Sequence, residues 1–379
     1  MAVAAFLREA DLATAEGNLG AAIVLLRQAV SEDDADQSTW LKLAAIERAS
    51  GHVIEALAAT DRAIALAPLD FIALLMRATL LERLGDPRTA EAFDNALART
   101  PSEALSPQVA QIVAHGRECV GAWRAQREAE LGAVSGACDL DQDARARLDR
   151  FASNIVRRTR VWHSEPTNYH FPELAEREFH PRRLFRWLPE LEAATEAIAS
   201  EFVAVMAAER HELVPYIQYP DTVPLRQWQA LNHSLDWTAI HLLRNGVPVD
   251  ANLRHCPKTQ AILARVGQPR VAGASPNAMF SLLAPHAVIP PHVGIDNSRL
   301  VCHLPLIIPP GCWFRVGATT RSWQPGEAFV FDDTIEHEAT NPSDQLRVVF
   351  IFDVWHPDLT PGEQEAVAAM ITHDAKRPV

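Results

Sequence analysis

Cysteine is scarce, and its spacing suggests no pairs. The five residues, Cys119, Cys138, Cys256, Cys302 and Cys312, are odd in number and scattered, with no C-x-x-C unit. That argues against a disulfide framework and fits reduced thiols in a cytoplasm. It leaves little for zinc either, because His255–Cys256 and Cys302–His303 lack the tight ligand pairs such sites use. Basic charge is short too: 35 Lys and Arg against 48 Asp and Glu give a net charge of −13. Binding to phosphate or anionic lipid needs a basic face, so nucleic acid and membrane surfaces are disfavoured partners. No apolar run approaches the ~20 residues of a membrane-spanning helix. The opening MAVAAFLREADLA has no basic n-region and meets Arg8 and Glu9 at once, so no signal peptide is expected.

What is present is enough for two cores: 379 residues, 48% hydrophobic and 22% charged. Residues 1 to about 105 are rich in Ala and Leu and repeat internally. Gly17, Gly51 and Gly85 recur at a 34-residue step, as do Ala22, Ala56 and Ala90. Ala29 and Ala63 keep the step and Leu97 takes the third place. Phe6, Trp40 and Leu74 fill an early helix position, and Ala10, Ala44 and Ala78 a small-residue position. The glycine makes the turn between paired helices and the alanines let the pair approach closely. This pattern resembles the tetratricopeptide repeat, for which three units are about the minimum stable stack.

The middle of the chain is less regular. Gln108–Leu131 reads as a polar helix capping the stack, Ala133–Asp139 as a linker and Asp141–Thr159 as a further helix. His163–Pro181 is irregular and suited to shaping the mouth of a site. Trp187–Glu209 is apolar at helical spacing and is expected to buttress a sheet. The expected domains are 1–130 (helical repeats), 131–180 (linker and leading segment) and 181–379.

From Phe280 to His356 the pattern changes. Short β-rich runs, Val301–Leu306, Cys312–Val316, Ala328–Phe331 and Arg347–Val354, are broken by Pro-Pro, Pro-Gly and Asn-Pro. Many short strands with turns indicate a small β-barrel or jelly roll. His292 precedes one strand. His337 follows another, after the acidic turn Asp332–Asp333. Arg347 heads the most apolar strand, RVVFIFDVW. A buried arginine there needs an anionic partner, and its planar fork suits a carboxylate. Two imidazoles and carboxylate-binding arginines describe a metal site beside an organic-acid site.

The strings PHVGIDNSRLVCHLPL, TRSWQPGEAFVFDDTIEHEA and RVVFIFDVWHPDLTP closely resemble the catalytic domain of the aspartyl/asparaginyl β-hydroxylase family. The resemblance covers roughly the last half of the chain. It implies a double-stranded β-helix and a non-haem Fe(II), 2-oxoglutarate-dependent oxygenase that consumes O2. It makes His292 and His337 the metal ligands and Arg347 the clamp on the distal carboxylate of 2-oxoglutarate. Ser281, Arg299 and His303 would surround the co-substrate, with Trp237 near the pocket. Most enzymes of this chemistry place a carboxylate two residues after the first histidine. Here Gly294 stands there, as it does in the resembled family, and Asp296 is close enough in sequence to act as an outer acceptor. Halogenating relatives in chemistry also carry a small residue at that place. The flanking strings favour hydroxylation.

Taken together, the expectation is an α + β multidomain protein: an all-α repeat stack followed by a double-stranded β-helix with buttressing helices. The expected reaction is hydroxylation of a C–H bond, the β-carbon of Asp or Asn in a peptide or protein, delivered through the repeat groove. The alternatives are a small amino-acid derivative, a lipid acyl chain, or a non-catalytic scaffold with a ligand-binding barrel.

Overall fold

A computed structural model describes residues 2–32, 36–208, 214–220, 222 and 224–375. The chain divides into two compact units, Met1–Thr159 and Arg160–Val379, and not at the expected residues 130 and 180.

In the first unit the 34-residue step becomes three helical hairpins. They are α1 (Ala2–Ala15) with α2 (Leu19–Ala29), α3 (Gln37–Ala49) with α4 (Val53–Leu66), and α5 (Phe71–Arg83) with α6 (Thr89–Leu97). Gly17, Gly51 and Gly85 turn each hairpin at φ +77°, +84° and +65°, a region that favours glycine. The alanine columns are the contact surface: Ala10, Ala44, Ala78, Ala22, Ala56 and Ala90 are all buried. Asn18, Asp36 and Asp70 cap helices through their side chains. The expected cap is α7 (Pro107–Gly136), which covers the third hairpin with Val113 and Val120. A Cβ at Gly116 would lie 2.6 Å from the Phe93 ring, so this helix can seat only with glycine there.

One expectation fails in this unit. The linker read at Ala133–Asp139 is mostly helix, because α7 runs unbroken to Gly136. Helix α8 (Gln142–Ile155) returns beside it, and Arg145 donates to the Ser135 carbonyl, tying off that helix end.

The second unit is built on two antiparallel sheets. Strands β1 (Val214–Pro215), β2 (Trp237–Arg244), β4 (Ala278–Leu283), β11 (Arg347–Trp355), β6 (Arg299–Ile307) and β9 (Phe329–Phe331) form the larger in that order, with β3 (Val247–Pro248) on β2. The smaller runs β5 (Val288–His292), β10 (His337–Thr340), β7 (Trp313–Val316), β8 (Thr319–Ser322). Trp237, Leu283, Val301 and Val349 of the larger sheet pack against Ile289, Phe314, Val316 and Ala339 of the smaller. This is the expected double-stranded β-helix architecture.

The outer face of the larger sheet, Ile240, Phe280, Leu304, Phe350 and Phe352, is covered by helices. These are α9 (Leu188–Ala193), α10 (Thr195–Ala207), α11 (Asp250–Leu253) and α12 (Pro257–Leu263). The helix read as Trp187–Glu209 is thus two helices with a turn at Ala194, and Glu209 lies outside the described residues. The buried Glu201 carboxylate accepts from Lys258 N and Thr259 N and caps α12. A last helix, α13 (Pro361–Asp374), starts with a Thr360–Glu363 capping box. All five cysteines are free.

Candidate active site

The two histidines, 45 residues apart in sequence, are directly paired. His292 ends β5, His337 begins β10, and the strands set them opposite each other. Their ring centroids are 4.0 Å apart. Each ring spends its Nδ1 on a carbonyl two residues upstream, His292 on Pro290 (2.8 Å) and His337 on Ile335 (3.1 Å). Nδ1–H is therefore the donor, and Nε2 keeps its lone pair for a ligand. Burial favours the neutral form of both: it lowers His292 to about 4 and His337 well below the ordinary imidazole value. The edge of Trp228 meets His292 at 4.9 Å. Among the described residues no three His, Cys, Asp or Glu side chains form a ligand set, so the protein offers two imidazoles.

Gly294 explains the missing carboxylate. A Cβ built there would lie 2.4 Å from Asp333 Oδ2, and Gly294 N donates to the Asp333 carbonyl at 2.6 Å. The space for a third ligand's side chain holds the Asp333 carboxyl instead. Asp333 is not part of a solvated turn: it is 8% exposed, and its Oδ1 is buried without a partner. Burial raises its pKa to about 7, against the pull of Arg299. Asp332 is more deeply buried, at 2% exposed, and serves the turn, accepting from Thr334 N.

The two arginines differ in what they hold. Arg299 makes ion pairs with Asp333 (3.3 Å) and Asp353 (3.5 Å). Burial opposes its charge, but Asp333, Asp353 and Asp296 outweigh that and raise its pKa. Arg299 thus anchors Asp333, with its charge already matched. Arg347 is 2% exposed and has no carboxylate partner among the described residues. Its structural alternatives are spent: Asp353 is taken by Arg299, and Glu338 by Arg315. Arg347 Nη1 donates to Ser281 O and Oγ at 3.3 Å, its guanidinium lies 4.8 Å from the Trp323 ring, and its Nε has no partner. Burial lowers its pKa to about 10, which leaves it charged at neutral pH.

Trp237 joins this group to the histidines. Its indole donates to Ser281 Oγ at 3.0 Å, and its ring lies 6.1 Å from His292. His303 sits one strand away in an aromatic box of Phe314, Trp323, Phe329 and Phe331, and Trp323 Nε1 donates to its Nδ1. Ser281, Arg299, His303, Arg347 and Trp237 therefore share the barrel interior with both histidines. Sequence reasoning missed Asp333, the Tyr216 ring stacked on Trp237 at 3.7 Å, and Trp323. Only its place in the string TRSWQPGEAFVFDDTIEHEA hints at the last. The segment read as shaping the mouth runs along this site: Thr167 N donates to Gly294 O, and Asn168 N and Tyr169 N to Ile295 O.

A family model described as aspartyl/asparaginyl beta-hydroxylase matches residues 192–357, which contain every residue of this site named from the sequence. The chain is 28% identical over 311 residues to aspartate beta-hydroxylase domain-containing protein 2 of Xenopus tropicalis, covering 78% of this chain and 80% of that protein. It is 34% identical over 137 residues to the Homo sapiens aspartyl/asparaginyl beta-hydroxylase, 36% of this chain but 18% of that protein. The chain thus spans most of the frog relative and under a fifth of the human one. The Sgt2 TPR domain of Aspergillus fumigatus is similar at 22% identity and a TM-score of 0.28, over 37% of this chain and 89% of that one.

Proposed function

We propose, from a barrel that belongs over residues 192–357 to the aspartyl/asparaginyl β-hydroxylase family, that the protein is an Fe(II)- and 2-oxoglutarate-dependent hydroxylase acting on the β-carbon of Asp or Asn in a polypeptide. The observation that carries this reading is Arg347: a fully buried cation with an unused Nε, beside two imidazoles whose Nε2 atoms are unspent. A buried charge without a counter-ion is costly, and a carboxylate-bearing co-substrate supplies one.

The donor set fits the metal. His292 and His337 would hold Fe(II) through Nε2, and the remaining positions fall to the co-substrate and water. Bound there, the ion supplies the redox chemistry that couples decarboxylation of 2-oxoglutarate to succinate and CO2 with oxygen insertion into a C–H bond. The side chains do the rest. Arg347 and Ser281 fix the distal carboxylate of 2-oxoglutarate. Trp237, Trp228 and Tyr216 wall the site and exclude water. Asp333, held by Arg299, keeps its carboxyl against Gly294. That carboxyl occupies the space that a side chain at position 294 would take.

Anaerobic addition of Fe(II) and 2-oxoglutarate is expected to give a visible charge-transfer band, and aeration with an Asp- or Asn-containing peptide a +16 product. A protein that binds neither would be a repeat scaffold with an inert barrel.

A further inference from the structure

Outside the barrel interior, a cleft of about 710 Å3 opens between residues 168–172 and α13. That volume lies in the range of ligand sites. None of His292, His337 and Arg347 lines it. One wall is apolar: Phe171, Val367, Met370 and Ile371. Met370 is 71% exposed, a large apolar side chain left in water.

The polar part of the lining is acidic. Ser298 is 1% exposed, and its hydroxyl is buried without a hydrogen-bond partner. Asp296 is 7% exposed, and its Oδ1 accepts from Ser298 N at 2.8 Å. Arg299 gives its ion pairs to Asp333 and Asp353; its charge also reaches Asp296, but Asp296 makes no ion pair among the described residues. Asp374, which accepts from the Tyr169 hydroxyl at 3.2 Å, adds a second carboxylate. The described lining contains no Lys or Arg; its nitrogen bases are the exposed His170 and His373. Apolar area gives affinity without regard to charge, and a nearly buried carboxylate selects the sign.

We propose that this cleft binds an organic ammonium carried on an apolar chain. The chain lies along Phe171, Val367, Met370 and Ile371, and the head meets Asp296 and the Ser298 hydroxyl. A lysine flanked by apolar residues in a polypeptide and a free alkylamine share this chemistry. Either would press on residues 167–169, whose amides are bonded to Gly294 and Ile295. The site stands whether or not the hydroxylase reading holds, because its test reads binding alone.

Calorimetric titration of the full chain with n-octylammonium, n-octanol and n-octanoate tests it. Octylammonium is expected to bind at least about tenfold more tightly than octanol, the scale of one charge-assisted hydrogen bond, with octanoate weakest. Asp296→Asn should remove that preference, and Ser298→Ala, which deletes only an unpaired hydroxyl, should reduce it. Met370→Ser should weaken ammonium and alcohol alike. Parallel titration with N-acetyl-Leu-Leu-Lys-amide separates the sources: binding comparable to octylammonium assigns a polypeptide, and binding of the alkylamine alone assigns a free amine. Equal affinities for the three octyl probes, or a preference that survives both Asp296→Asn and Ser298→Ala in folded protein, would overturn the proposal.

Discussion

The helical unit and the barrel bury charge in opposite ways. The helical unit buries Glu47 to 1% exposure and satisfies it: Arg27 donates twice to Oε1, and His52 pairs with Oε2. The barrel buries Arg347 to 2% and leaves it among neutral groups, with Nε unpartnered. A partnered buried charge is explained by the fold that holds it. An unpartnered one weakens the fold and is explained by what binds there. The difference separates a unit finished by its own side chains from one that leaves a buried charge open.

The largest effect that sharpens this contrast is at the imidazoles. His337→Ala should abolish stoichiometric Fe(II) binding and succinate formation, because one imidazole cannot hold the ion; metal analysis after desalting checks it. Next come the two charges themselves. Arg347→Met should lower 2-oxoglutarate affinity by about a hundredfold or more, and leave the ligand-free protein as stable as the parent or more so. Glu47→Met should behave otherwise, costing the helical unit roughly 1–3 kcal/mol in urea unfolding and leaving 2-oxoglutarate binding untouched. Equal stability changes at both sites would break the comparison.

Gly294→Ala is a smaller test. Its Cβ must displace the Asp333 carboxyl, so it should destabilise the barrel by about 1–3 kcal/mol, as overpacking does. In an Asp333→Ala background the same change should cost markedly less, a coupling a double-mutant cycle measures. A Gly294→Asp variant meets the same obstacle and does not simply complete a ligand triad.

The smallest expected effect is on pH. Burial lowers His180 to about 3 and His241 to about 4, and neither belongs to the candidate site. Each is neutral in the folded barrel and charges on unfolding near pH 6.5, so the unfolded chain binds more protons below that value. The stability they provide is complete above about pH 6.5 and falls as pH drops towards 4, by up to ~1.4 kcal/mol per pH unit per histidine. Asp333, raised to about 7, works in the opposite sense across that whole window and offsets about one histidine's share. Denaturant midpoints at pH 7 and pH 5 should therefore fall for the barrel, and Phe substituted at His180 should flatten that fall.

Much of this was legible in sequence for a local reason. A 34-residue step of glycines and alanines specifies hairpins because the positive-φ turn and the small-residue contact lie within one repeat. His292, His337 and Arg347 stood out through the strings around them. Asp333 did not, since its meeting with Gly294 depends on two loops 39 residues apart. Arg299 was read as a co-substrate ligand because its counter-ions, Asp333 and Asp353, come from β9's exit and from β11. Ala133–Asp139 looked like a linker because Gly132 and Gly136 weaken helix propensity, yet contacts from α8 carry the helix through.

The two imidazoles take their orientation from carbonyls two residues upstream, Pro290 in β5 and Ile335 in the turn before β10. No neighbouring side chain is needed to choose the tautomer. The imidazole pair is therefore insulated from its surroundings: walls such as Trp228 and Tyr216 can be exchanged during divergence without changing which ring nitrogen each histidine leaves open. A barrel wired in this way can change what it admits faster than it changes the pair that meets it.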